Sequence, residues 1–129
     1  MKKLFYLFIL VCCLSGVSNA QSLVDNSGVG RIREKLVQYV EDKLALTRDE
    51  TARFEPIYMN YLRDLRSTNQ EYKGDKLVLQ DKVVELRLRY RDQFKPIIGE
   101  KRSNDVFVHE REFVKQAREE MQTRLQGRH

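Results

Sequence analysis

The side chains with most chemistry to offer are two arginines one helical turn apart, Arg87 and Arg91, and a carboxylate, Glu110, set among apolar neighbours. A carboxylate centred on an apolar helix face needs a partner, because an unpaired buried charge is very costly. The arginines supply one, so the trio is expected to be a structural ion pair. Catalysis would require a second acid or base and a surrounding pocket, and the sequence offers neither. No enzymatic activity is expected. His109-Glu110-Arg111-Glu112 raises metal binding, but it lacks the second histidine at i+4 that a helical zinc pair needs, and His129 stands at the chain end. No metal or cofactor is expected. Further basic residues, among them Arg63, Lys82, Arg89, Arg111, Lys115, Arg118 and Arg124, mostly alternate with acids at helical spacing, the pattern of a solvated face. Such a face attracts acidic, unfolded or membrane partners.

The first twenty residues bear on which partners the chain meets. Met1-Lys2-Lys3 is a positive start, an apolar run follows from Leu4 to Leu14, and Ser18-Asn19-Ala20 has the small residues of a cleavage site. The run is shorter than the roughly 20 residues that span a bilayer. A secretory signal, cleaved after Ala20, is expected. Lipid anchoring at Cys13 is disfavoured, because Val11 and Cys12 stand where a small residue is wanted. Cleavage removes both cysteines, and loss of Lys2 and Lys3 lowers the net charge from +5 to +3. An exported basic chain points to anionic membrane surfaces, envelope polymers or acidic proteins, and away from nucleic acid. The expected layout is a signal over 1–20, a flexible segment over 21–28, one all-helical domain over 29–126 and a disordered tail over 127–129.

Four helices must position these side chains. The first is expected over 29–43, with Val29, Ile32, Leu36, Val40 and Leu44 on its apolar face, after a turn at Asn26-Ser27-Gly28. Thr47-Arg48-Asp49-Glu50 is a capping box that opens the second. There Phe54, Ile57, Tyr58, Tyr61, Leu62, Leu65 and Tyr72 form one stripe. Pro56 falls on the opposite side, where the carbonyl of Ala52 that it frees can meet water; the expected result is a helix that curves with its apolar face concave. Gly74 and Asp75 end that helix and cap a third, over 76–97. Its apolar arc has two edges, Leu77, Val84 and Leu88 on one and Leu79, Val83, Leu86, Tyr90, Phe94 and Ile97 on the other, and neighbours are expected on two sides. The fourth helix, over 100–125 after Gly99, carries Val106, Phe113, Val114, Ala117, Met121 and Leu125 inward. Short turns at Gly74 and Gly99 make these helices antiparallel. Counting outward equally on both arms from Gly99 brings Glu110 level with Arg87 and Arg91, and counting from Gly74 brings Tyr58 and Tyr61 beside those arginines.

Leu46-Thr47-Arg48-Asp49-Glu50 resembles the LTxxQ motif of the Spy/CpxP-like family of periplasmic chaperones and envelope-stress regulators, and KLALTRDETARFEPIYMNY is similar to a version found in short exported homologues. Ile98-Gly99-Glu100-Lys101-Arg102 with the following VHEREF resembles a degenerate second motif. Two departures stand out: Glu50 replaces the Gln of the motif, and Gly99 replaces the second Thr. The resemblance implies a curved, cradle-like antiparallel homodimer that holds unfolded or misfolded proteins without ATP. Its client face is expected at Phe54, Tyr58, Tyr61, Arg87, Leu88, Arg91 and Phe94. The alternative within the same resemblance is a regulatory module that docks an envelope-stress sensor kinase or an anti-sigma partner.

Overall fold

The computed structural model describes residues 28–128, the side chain of Val29 excepted. The expected signal segment with its cysteines, the expected turn at Asn26-Ser27 and His129 lie outside the described residues. The chain divides into two units, residues 1–35 and 36–129. Four helices and no strand occur among the described residues: α1 (Gly28–Leu44), α2 (Arg48–Glu71), α3 (Lys76–Ile98) and α4 (Glu100–Gln126). The class is all-α, with long helices joined by short turns.

In the first unit, Gly28 to Lys35 form the opening turns of α1, and Ile32 is exposed. The second unit holds the core. Leu36, Val37, Val40 and Leu44 give it the buried face of α1. The turn that follows places Ala45 at φ 52°, a left-handed conformation that closes the end of α1 as the Ala45 and Leu46 amides reach back to the carbonyls of Asp42 and Glu41. The capping box then starts α2: the Glu50 amide donates to Thr47 Oγ1 at 3.2 Å, and the Thr47 amide donates to Glu50 Oε1 at 3.0 Å. Pro56 sits inside α2 on an exposed face, as does Ala52, and the helix continues through it to Glu71. Asp75 caps α3 by accepting from the Val78 amide.

Packing of α2 on α3 and of α3 on α4 is antiparallel, since contacts step down one arm as they step up the other. Phe54 meets Phe94 with ring centroids 4.9 Å apart, and Tyr61 meets Tyr90 at 5.4 Å. Phe54, Tyr58, Tyr61, Phe94, Val40 and Val106 are fully buried, and Phe107 packs edge-on against Tyr61. Aromatic rings meeting at these tilted and edge-on angles add to what their buried area alone contributes.

Between α3 and α4 the chain turns at Gly99, whose φ of 85° and ψ of 168° belong to a region essentially confined to glycine. Gly99 caps α4 without a side chain. Arg102 ties this end down instead: it donates to the Ile98 carbonyl and, through both terminal nitrogens, to the Glu50 carboxylate. One carboxylate thus closes the capping box of α2 and holds the first turn of α4. The guanidinium bonds and the Thr47 amide hold Glu50 down at a pKa of about 2.

Two expectations about the apolar faces are corrected. The Leu77, Val84 and Leu88 edge of α3 is exposed, lying roughly opposite the buried Leu86, Tyr90 and Phe94 by helical periodicity. On α4, Val106 is buried and Phe113 half-buried, but Val114, Ala117, Met121 and Leu125 are exposed. No side chain of the second unit covers that stretch. At the C-terminal end, the Gly127 amide donates to the Thr123 carbonyl and closes α4.

Candidate binding site

Glu110 is brought to α3 by the turn at Gly99, and Tyr61 by the turn at Gly74, so the three central helices each supply one polar group at the same level. The Tyr61 hydroxyl donates to Glu110 Oε2 at 2.9 Å and accepts from Arg87 Nε at 3.3 Å. Arg87 also approaches Glu110 Oε2 at 3.7 Å, and its guanidinium lies over the Phe107 ring. Glu110 is buried while Arg87 keeps 31% of its side chain exposed, so the pair is only half withdrawn from water. Burial raises the Glu110 pKa against the opposing pull of the Tyr61 bond and the Arg87 and Arg111 charges. The Tyr61 hydroxyl is raised as well, by burial and by the neighbouring Glu110. Glu110 Oε1 has no hydrogen-bond partner among the described residues.

Arg91 does not join this group, contrary to expectation. It sits one turn nearer Gly99, where its Nη1 donates to Asn104 Oδ1 at 3.4 Å. The residue-for-residue count from the turn fixes the level of a side chain along the hairpin, but one turn is enough to separate Arg91 from the carboxylate. Tyr58, also expected beside the arginines, is near enough to feel the Arg87 charge but makes no hydrogen bond to it; it is fully buried among Phe54, Tyr61 and Phe94, with its hydroxyl unpartnered.

The expected client face is divided in the same way. Phe54, Tyr58, Tyr61 and Phe94 are fully buried core residues and present nothing to a partner. Leu88 is exposed, and Arg87 and Arg91 are half-buried. Sequence periodicity assigned the aromatics to one stripe correctly, and that stripe is the core face.

Above Glu110 opens a cleft of about 370 Å³. Leu36, Leu62, Leu65 and Val114 give it apolar walls, and Arg87, Arg111, Lys115 and Arg118 surround them. Three of these cations, Arg111, Lys115 and Arg118, lie on one side of α4 and are exposed. Sequence reading placed them on a solvated face and missed that they border an apolar cleft, because Leu36, Leu62 and Leu65 come from two other helices.

Other polar links went unforeseen for the same reason. Tyr90 donates to Asp64 at 2.5 Å, and Tyr39 bridges Glu112 and Gln116 while its ring meets Phe113. His109 Nδ1 lies 2.9 Å from Glu112 Oε2, and no group of three metal-ligating side chains occurs among the described residues. None of the described helices is long and apolar enough to cross a membrane.

Searches of protein-family models, curated proteins and solved structures find no match to this chain.

Proposed function

We propose that this protein is an ATP-independent chaperone of the periplasm, a holdase that binds unfolded or misfolded proteins reversibly, with a homodimer as its working form. The observation that carries this reading is uncovered apolar surface edged by positive charge. Leu77, Val84 and Leu88 on α3, and Val114, Met121 and Leu125 on α4, are all exposed. Rows of apolar side chains left in water mark places where another molecule binds. Nearby cations give it a long-range pull on acidic chains. The signal-like first twenty residues and the resemblance of 43–61 to the LTxxQ-motif family support export and a chaperone role. The contact surface is placed on these outer rows, not on the aromatic stripe.

The test is light scattering from a chemically denatured acidic protein diluted into buffer, with and without an equimolar amount of this protein and without nucleotide. Suppressed aggregation is expected, weaker at high salt, and weaker again when Leu77, Val84, Val114 and Met121 are replaced by serine. No suppression at several-fold excess would overturn the holdase reading. A single tight partner recovered by crosslinking in cells would then assign the protein to the regulatory class, docking an envelope-stress sensor.

A further inference from the structure

The cleft above Glu110 combines an apolar interior with unsatisfied positive charge. We propose that it binds a single-chain anionic amphiphile, in its simplest form a fatty-acid carboxylate, with the acyl chain against Leu36, Leu62 and Val114 and the head group among Arg111, Lys115 and Arg118. This does not rest on the chaperone reading.

Size limits the ligand first. About 370 Å³ is near the lower end of the roughly 300–1,000 Å³ range of small-molecule clefts, which suits one acyl chain better than a two-tailed lipid. Exposure orients it. Leu36 and Leu62 are buried and Leu65 half-buried, whereas Arg111, Lys115 and Arg118 are exposed at the mouth. A chain entering from solvent would therefore leave its head group at the cations.

Charge selects the head group. Other cations of α4 are engaged: Lys101 with Asp105, Arg102 with Glu50 and Arg124 with Glu120. Arg111, Lys115 and Arg118 form no ion pair among the described residues, although they follow one another at four and three residues along one side of the helix. A row of free cations beside an apolar wall matches an anion joined to a hydrocarbon. A plain anion would gain nothing from Leu36 and Leu62. A cationic detergent of equal length would be repelled at the mouth. Glu110 at the base does not reverse this preference. Its Oε2 is held by Tyr61 and Arg87, burial favours its neutral form, and its unpartnered Oε1 leaves one polar atom at the base.

The experiment is calorimetric titration of the purified full-length protein with dodecanoate below its micelle-forming concentration. Dodecyltrimethylammonium and acetate serve as comparisons. Saturable binding of one dodecanoate per chain is expected, about tenfold or more tighter than either comparison ligand. The triple variant R111E/K115E/R118E should weaken dodecanoate by about tenfold or more while keeping its helical circular dichroism. Val114→Trp, which fills the cleft and leaves every charge in place, should also weaken it. Equal binding of the cationic detergent, equal binding of acetate, or undiminished binding in both variants would each overturn the proposal.

Discussion

The two ends of the α3–α4 hairpin are built from similar residue types and end in opposite states. Near Gly99, Phe94, Ile98, Ser103 and Val106 are buried, and Arg102 ties the hairpin to the start of α2 through Glu50. Toward the far end, Leu77, Val84, Val114 and Met121 are as apolar as those residues but remain exposed, and Arg111, Lys115 and Arg118 form no ion pair among the described residues. The difference lies in what stands opposite. The closed end has α2 aromatics against it, whereas Leu77 and Val84 lie on the side of α3 opposite its buried face, and Val114 and Met121 are left uncovered within residues 36–128. Stability is thus concentrated at one end and surface available for binding at the other.

The comparison breaks most visibly under truncation of the core. Phe94→Ala should cost about 3–5 kcal/mol in urea denaturation, as expected for a fully buried aromatic. Met121→Ala at the open end should change stability by no more than about 0.5 kcal/mol. Similar losses at both positions would mean that the open end is covered in solution.

The polar cluster between the two ends comes next. Arg87→Ala leaves Glu110 buried with Tyr61 as its remaining partner, and should cost about 1–3 kcal/mol. Glu110→Leu should be milder, because it removes the buried charge together with its need for a partner. Arg91→Ala should be close to neutral, since Arg91 bonds to Asn104 and not to Glu110. Chemical denaturation of the three variants ranks them; an Arg91 effect as large as that of Arg87 would refute the separation of the two arginines.

Backbone conformation at the turns offers a third probe. Gly99→Ala forces a side chain into a region nearly closed to it and should cost about 1–3 kcal/mol, although no neighbouring atom would meet the new methyl group. Ala45→Gly should act in reverse, raising stability by about 0.5 to 1 kcal/mol by relieving the left-handed alanine, net of the added freedom of the unfolded chain. Thermal melts of the two variants should therefore move in opposite directions.

Titration gives the smallest effects. Glu50, held near pKa 2, contributes stability that is present above its ordinary value of 4.5 and is lost as pH falls through 2. Glu41 behaves in the opposite sense. Burial, reinforced by Glu55, raises it to about 7, so its contribution is present below 4.5 and fades as pH rises through 7. Glu41→Gln should therefore flatten the melting temperature between pH 5 and 8. Glu50→Gln should lower it at pH 7 and matter little near pH 2. An unchanged pH profile in Glu41→Gln would remove Glu41 from this account.

Local rules made much of the fold legible. The Thr47 box and the Asp75 cap depend on side chains within three residues of the backbone groups they serve, and the stop at Gly99 depends on the backbone conformation of that one residue. The antiparallel turns are similarly local, and they carried Tyr61, Arg87 and Glu110 to one level. The candidate site was less legible. Its cleft is assembled from α1, α2, α3 and α4, and the Arg102–Glu50 clasp joins residues 52 apart on helices that are not consecutive. Apolar periodicity also assigned Phe94 and Met121 to the same kind of inward face.

By itself, the sequence determined the helices, their caps, their turns and the positive face, because these follow from hydrogen bonds and periodicities that close within a few residues. Tertiary structure decided that the aromatic stripe is core, that Arg87 and not Arg91 meets Glu110, and that Met121 and Leu125 stay in water. Burial is a property of what another helix places opposite, and a residue carries no record of that in its own neighbours along the chain.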